Sequence, residues 1–385
     1  MFNKLKKHSS DRLNIYQLCQ NIISDFCRSH RACVCLASTA VILLLLSGCA
    51  PQIPPATPTL SAPHTLTVMT HDSFAISEGA LQTFEEQNNV KVQFLKAGDT
   101  GTSLNKAILS KDNPLADVFY GVDNTFLSRA LDEGIFQPYA SPLLADIPAE
   151  FHLDANHFAL PVDYGNVCLN YDKVYFTQKN LPPPKNLDDL LKPEYKSLLV
   201  VENPATSSPG LAFLITTIAI YGEDGYIDYW KDLVANDVKV VNDWELAYYT
   251  EFSGSSGKGP RPIVVSYDSS PAYEVLYAET PLSESPTAAI IADNTCFRQI
   301  EFVGILKGAK NLELAKKWVD FMLSPQFQQE LPTQMFVFPV NSQAKLEEVF
   351  SKYMETPKVT AFVSPEIIAT RRQAWLEAWT EAVLR

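Results

Sequence analysis

The sequence predicts an α/β protein of two lobes, and three observations carry the prediction. The chain has 385 residues, 46% hydrophobic and 19% charged, which is enough for two cores at roughly 100–200 residues per domain. Short apolar runs of strand character alternate with helical patterns along most of its length, the mark of parallel strands covered by helices. Polar and aromatic loops recur where the predicted strands end, the place at which open α/β sheets bind ligands.

Residues 1–48 stand apart from that fold. Lys4, Lys6, Lys7, Arg12, Arg28 and Arg31 make a basic start, and an apolar run from Ala32 to Leu46 follows. The run is shorter than the roughly 20 residues of a membrane span and reads as a signal segment. Leu46-Ser47-Gly48-Cys49 resembles the lipobox of bacterial lipoproteins. That resemblance implies acylation of Cys49 and an extracytoplasmic body anchored to the cell membrane. Residues 49–65, rich in Pro, Ser and Thr, read as a tether.

Charge narrows the partners. The formal charge of the whole chain is −13. Residues 1–48 hold six Lys or Arg and two Asp or Glu, so the remainder carries 25 bases against 42 acids, a charge of −17. A nucleic-acid partner is excluded, because it requires a basic face; cations and neutral solutes are favoured. Of seven cysteines, Cys19, Cys27, Cys33 and Cys35 fall in the signal and Cys49 at its end. Cys168 and Cys296 remain, an even pair expected to form a disulfide outside the cytoplasm, the alternative being two separate buried thiols.

From Leu66 the elements follow in order. Leu66–Thr70 is a strand, Gly79–Gln87 a helix with Ala80, Leu81 and Phe84 on its apolar face, and Val90–Phe94 a second strand. Thr102–Ser110 is a helix, Ala116–Tyr120 a buried strand, and Thr125–Asp132 a helix ended by Gly134. Phe158–Val162 and Val167–Tyr171 read as two extended segments crossing between lobes, either side of Asp163-Tyr164-Gly165. Strands are expected at Leu198–Val201, Val238–Val241, Ile263–Ser266, Ala289–Ile291 and Phe302–Leu306. Helices are expected at Gly210–Tyr221, Tyr226–Val234, Glu245–Phe252, Ala272–Tyr277, Asn311–Leu323 and 366–384.

Enzyme signatures are lacking. The chain has no nucleophile elbow, no H-E-x-x-H, no Walker loop and no dinucleotide turn. His64, His71, His152 and His157 are scattered without metal-ligand spacing. No catalytic residue, metal or cofactor is expected; an extracellular hydrolase built from distant residues is the alternative of another class.

Seven loops hold the candidate binding residues. They are Thr70–Phe74 with His71 and Asp72, Gly98–Ser103 with Asp99, Thr100 and Gly101, Gly121–Asn124 with Asp123, and Val162–Gly165 with Asp163. The others are Pro204–Gly210 with Ser207 and Ser208, Asn242–Trp244 with Trp244, and Ser266–Tyr273 with Tyr267 and Tyr273. Singly, each has a plain structural reading, since Asp, Ser and Thr before a helix are ordinary N-caps. Seven on one side of two α/β lobes suggest a ligand cleft.

The order of motifs resembles a family. THDSF at 70–74, LADVFYGVDNTFL at 115–127, PVDYG at 161–165, NPATSSPGL at 203–211, DWELAY at 243–248 and SYDSSPAY at 266–273 look like thiamine-binding proteins of ABC importers. These belong to a class with iron- and polyamine-binding members. The resemblance covers about residues 66–385 and implies a two-lobed, type II periplasmic-binding-protein-like fold. Residues 66–163 and 297–385 would form one lobe and 164–296 the other. It also implies that Trp244, Tyr267 and Tyr273 line a thiamine pocket, that an ABC permease is the partner, and that the protein is a monomer. The chemistry agrees, because aromatic faces attract a quaternary thiazolium. The Asp99–Gly101 loop could meet the aminopyrimidine, and the helix start at Ser207–Gly210 a phosphate. Ferric-ion or polyamine binding is the nearest alternative; the adjacent Tyr248 and Tyr249 are of the kind that iron-binding relatives use, although neighbours on a helix face different ways.

Overall fold

A computed structural model describes residues 64–254 and 258–385. The signal segment, Cys49 and most of the tether lie outside the described residues. The strands are β1 (His64–Thr70), β2 (Val90–Lys96), β3 (Val118–Asp123), β4 (Phe136–Gln137), β5 (Leu160–Asp172) and β6 (Leu199–Glu202). They continue with β7 (Lys239–Val241), β8 (Ile263–Tyr267), β9 (Thr287–Ala289), β10 (Phe297–Leu306) and β11 (Phe338–Pro339). Their order is β2-β1-β3-β10-β5-β8-β6-β7, with β4 paired to β10 and β9 and β11 paired to β5.

Two parallel groups sit at the ends of this path. β1 runs parallel to β2 and β3, and β6 parallel to β7 and β8. Between them β10 and β5 run antiparallel to each other and to their outer neighbours. Each middle strand is long enough to serve both halves. β5 pairs with β10 over Leu160–Val167 and with β8 over Val167–Tyr171. The result is the two-lobed α/β architecture expected, with β5 and β10 as the crossing strands. The boundary expected between residues 163 and 164 falls within β5, and that between 296 and 297 at the start of β10.

Two expectations need correcting here. Phe158–Val162 and Val167–Tyr171 are not separate segments, because β5 is continuous through Asp163-Tyr164-Gly165. Likewise Gly121, Val122 and Asp123 are the end of β3 rather than a loop. In both cases polar residues or glycine interrupt the apolar pattern, but neighbouring strands supply hydrogen-bond partners that sequence pattern alone does not reveal. Tertiary pairing therefore overrides local preference.

Helices cover the sheet much as predicted. Glu78–Asn88 is capped by Ser77, whose hydroxyl accepts from the Ala80 N–H, and closes at Asn89 in the left-handed region. Its Phe84 meets Trp318 edge-on at 4.9 Å, fixing it against the helix Leu312–Leu323. The apolar stretch Ser208–Ala235 is broken at Gly222, where φ is 71°, so two helices meet there as expected. The last helix, Pro365–Leu384, buries Trp375 and Trp379. Trp379 packs edge-on to Trp230 at 5.5 Å, tying the chain's end to the helix pair after β6.

Cys168 in β5 and Cys296, just before β10, are joined by a disulfide with Cα atoms 4.4 Å apart and 128 residues between them in sequence. The bond links the two crossing strands, next to the Val167–Phe297 pair.

Candidate functional site

The helix Thr100–Leu109 begins at a carboxylate. Asp99 Oδ1 accepts from the Thr100 N–H at 2.8 Å, an N-cap contact. Its Oδ2 accepts from the backbone N–H of Trp244, 145 residues away, at 3.3 Å. Asp99 therefore joins the β1–β3 half of the protein to the β6–β8 half. Burial raises its pKa to about 6, although the Ser207 hydroxyl and the two N–H groups hold the rise back.

Further bonds cross the same seam. The Gly101 N–H donates to the Thr206 carbonyl at 2.9 Å, and the Thr100 hydroxyl donates to the Gly121 carbonyl at 2.9 Å, with the Ser208 hydroxyl 3.1 Å away. Glycine is required for this approach. A Cβ at position 101 would lie 2.5 Å from the Ala205 carbonyl oxygen, a backbone atom that cannot step aside.

Trp244 supplies the aromatic wall. Its indole N–H donates to Ser266 Oγ at 3.0 Å, and one face stacks on Tyr248 at 5.0 Å and 18°. Phe336 meets it edge-on at 5.2 Å and Tyr267 at 6.4 Å. Tyr267 lies against β5 because residue 165 is glycine; a Cβ there would come within 2.8 Å of its ring. The Tyr267 hydroxyl accepts from Gln299 Nε2 at 3.2 Å. The indole is thus held in orientation by a hydrogen bond and a stacked ring.

His71, Asp99, Thr100, Ser208, Trp244 and Tyr267 line one cavity of about 30 Å³, with Glu301, Met335 and Val337 among its other walls. That leaves room for a few water molecules at most, so the two halves stand close upon each other. Buried carboxyl groups lie beneath. Tyr120 donates to Asp163 Oδ2 at 2.6 Å, with Glu301 Oε2 at 3.2 Å. Burial raises the pKa of Asp163 and of Glu301; Asp163 adds to the rise at Glu301, while hydrogen bonds from Tyr120 and Glu301 hold Asp163 back. His71 Nε2 is 3.5 Å from Glu301 Oε1. Burial lowers the His71 pKa to about 4, with Lys96 adding to the effect, so this contact joins a neutral imidazole to a neutral carboxyl rather than two ions.

The expected site residues therefore divide. Six of them line the cavity, and Gly101 and Ser207 sit at the seam beside it. Asp72 is placed elsewhere: its carboxylate accepts from the Gly98 N–H at 2.9 Å and shapes the turn after β1. Asp123 holds the Thr125 hydroxyl at 2.8 Å, and burial raises its pKa to about 7. Asp163 belongs to the Tyr120 cluster below the cavity. All three were expected at loop ends, but their carboxylates hold groups of the fold itself: the Gly98 N–H, the Thr125 hydroxyl and the Tyr120 hydroxyl. Tyr273 stacks on Phe336, centroids 3.5 Å apart, behind the cavity wall. Glu301, Ser266 and Phe336 were missed. Glu301 sits inside an apolar strand pattern, and nothing in the sequence marks Phe336 for its left-handed backbone, φ 63°.

Tyr248 and Tyr249 sit in different surroundings. Tyr248 is buried and donates to Glu274 Oε1 at 2.6 Å, while Tyr249 is 42% exposed and its ring is turned 85° from its neighbour's. Burial raises both phenol pKa values, which opposes the phenolate form that a ferric ion requires. Among the described residues no three His, Cys, Asp or Glu side chains are grouped to hold a metal ion.

Comparison with known proteins agrees with this architecture. Residues 113–356 match the family described as bacterial extracellular solute-binding protein. The chain is 32% identical over 348 residues to a thiamine-binding periplasmic protein of Escherichia coli K12, covering 89% of this chain and all of that one. A solved periplasmic thiamin binding protein is 30% identical with a TM-score of 0.74, covering 84% of this chain and 97% of the other. A ferric binding protein from Campylobacter jejuni shares the fold at 20% identity, with a TM-score of 0.66 and 82% and 99% of the two chains covered.

Proposed function

Because the chain belongs to the bacterial extracellular solute-binding proteins, a family that binds solutes rather than transforming them, we propose that it binds thiamine and delivers it to the permease of an ABC importer. The observation that carries this reading is the meeting of Asp99 and Trp244 across the seam. A carboxylate and an aromatic face, from opposite halves, together suit a flat organic cation: the ring quadrupole attracts the thiazolium, and the carboxylate accepts from an exocyclic amine. Relatives that bear the name thiamine-binding, at 32% and 30% identity, support the same choice. A ferric ion would need anionic ligands set around a point, which Tyr248 and Tyr249 do not offer.

In this reading the halves part to admit the ligand, since the closed cavity of about 30 Å³ is too small for it. Residues 66–163 move as one lobe and 164–296 as the other, with β5 and β10 as the hinge; of the return segment 297–385 expected in the first lobe, the last helix packs on Trp230 of the second. The permease then recognises the closed, loaded form, a shift of population that the ligand drives. Thiamine phosphates would place their anion at the start of the helix Ser208–Ala235, where Ser207 makes no side-chain capping bond. A lipid on Cys49 would hold the monomer at the membrane; Cys49→Ser should release it into the soluble fraction.

The direct test is native mass spectrometry of the purified protein, followed by calorimetry with thiamine. A bound mass matching thiamine and a saturable 1:1 titration are expected. Bound iron or polyamine, with no heat from thiamine, would replace this reading.

A further inference from the structure

A second cavity, of about 490 Å³, lies where the helix Leu127–Asp132 meets the last helix, Pro365–Leu384. Arg129 and Arg372 both line it. Arg372 is only 7% exposed, and its Nε is buried without a hydrogen-bond partner. The guanidinium lies 5.3 Å from the centroid of the Phe126 ring, which also borders the cavity. The arginines that form ion pairs among the described residues are Arg261, Arg371 and Arg385. Arg129 and Arg372 are therefore two cations held together with no carboxylate bonded to either.

This placement runs against the rest of the molecule. The chain carries 44 acids against 31 bases, so carboxylates to neutralise two arginines are plentiful. Those at the cavity are otherwise engaged. Glu381 accepts from Arg385 at 2.7 Å, Glu377 accepts from Gln373 at 2.8 Å, and Asp123 below is occupied by Thr125. Burial and the neighbouring Arg129 lower the Arg372 pKa to about 10, while Asp123 and Asp132 oppose the fall. Arg372 thus remains cationic at neutral pH, at an energetic cost that the Phe126 ring offsets in part and no carboxylate among the described residues offsets by a hydrogen bond.

We propose that Arg129 and Arg372 form a site for a small phosphate-type oxyanion, separate from the ligand cleft. Guanidinium forks match the oxygen spacing of phosphate and bond two oxygens at once. A doubly charged anion between them would remove their mutual repulsion and give the buried Nε a partner. The site and the cavity at Trp244 share no lining residue: Asn105 and Ala205 border the one, whereas Thr100 borders the other.

The test titrates inorganic phosphate into the full-length, ligand-free protein in a zwitterionic buffer, with sodium chloride holding ionic strength constant. Wild type should show a saturable rise of about 2 °C in melting temperature at tenfold excess over Kd. Arg129→Gln, at the partly exposed edge of the cavity, should weaken phosphate at least tenfold, and so should Arg372→Lys, which keeps the charge but loses the fork. Both should bind thiamine as wild type does, which separates this site from the cleft. If Arg372→Lys does not fold, Arg129→Gln alone decides. No saturable shift in wild type, or the same shift in Arg129→Gln, overturns the proposal, as does a parallel loss of thiamine affinity.

Discussion

Substituting Asp99 by Asn should make the ligand-free protein more stable while weakening its hold on a cation. The residue is half-buried, and burial raises its pKa from 3.8 to about 6. A carboxyl group with a raised folded-state pKa binds protons more tightly folded than unfolded, so stability falls as pH rises from about 4 to about 6 and then levels. A shift of roughly two units corresponds to about 3 kcal/mol above that window. Asn removes the charge and this cost. Its single carbonyl oxygen must then serve the Thr100 and Trp244 N–H groups that two oxygens serve now, which returns about 1–3 kcal/mol. The expected balance at about pH 7.5 is a gain on the order of 1 kcal/mol, visible as a rise of about 1–2 °C in melting temperature. The gain should shrink as pH falls to about 4.5, where the wild-type carboxyl is already protonated. Binding should move the other way. Losing one partner of a buried charged hydrogen bond costs about 2–5 kcal/mol, so calorimetry should find thiamine affinity lower by roughly 30-fold or more. A melting difference that does not vary with pH, or an affinity within threefold of wild type, would refute the reasoning.

Three other expectations follow from the same geometry. Trp244→Ala should weaken thiamine by about 2–4 kcal/mol in calorimetry; because the indole is buried and bonded to Ser266, melting temperature should fall as well, and circular dichroism must first show the variant folded. Gly101→Ala should hold the halves apart, since the new Cβ meets the Ala205 carbonyl at 2.5 Å; small-angle scattering should then find no contraction with thiamine, and full contraction would dismiss the seam as the closing contact. Thiol labelling of denatured, unreduced protein should find neither Cys168 nor Cys296 free, and Cys168→Ser with Cys296→Ser should cost about 2–4 kcal/mol in denaturant unfolding; labelling of both would reject the bridge.

Much of the fold was legible because its signals are local. The alternation at Val90–Phe94, the apolar face of Gly79–Gln87 and the two helices Gly210–Tyr221 and Tyr226–Val234 are each written within a few residues, and each appears in the structure close to its expected position. The crossing strands were harder. Asp163 and Glu301 interrupt apolar patterns, and only the Tyr120 hydroxyl, 43 and 181 residues away in sequence, explains how strands can carry them. The same limit governs the site. Asp99 and Trp244 were singled out because polar-aromatic loops at strand ends are recognisable one by one. Their direct bond was not, nor was the placing of Phe336 against both Trp244 and Tyr273, because such contacts are made by folding rather than by spacing.

The buried acids argue for the sign of the ligand. Glu202, at the end of β6, is wholly buried, and neither of its carboxylate oxygens has a hydrogen-bond partner. Burial raises its pKa well above the usual range, with Asp99 and Asp243 adding to the effect. A fold under selection for stability alone would place an apolar residue there, since an unpartnered buried carboxyl group costs free energy in either protonation state. A cation entering beside Asp99 changes that balance, because it lowers the pKa of every acid that feels its field. Binding should therefore expel protons, and the heat of thiamine titration at about pH 6 should depend on the ionisation enthalpy of the buffer. At about pH 8, where Asp99 is already ionised, the dependence should fall. A neutral ligand would release no protons at either pH, and an anion would take protons up, so the buffer series reads the charge of the ligand directly from the acids that surround it.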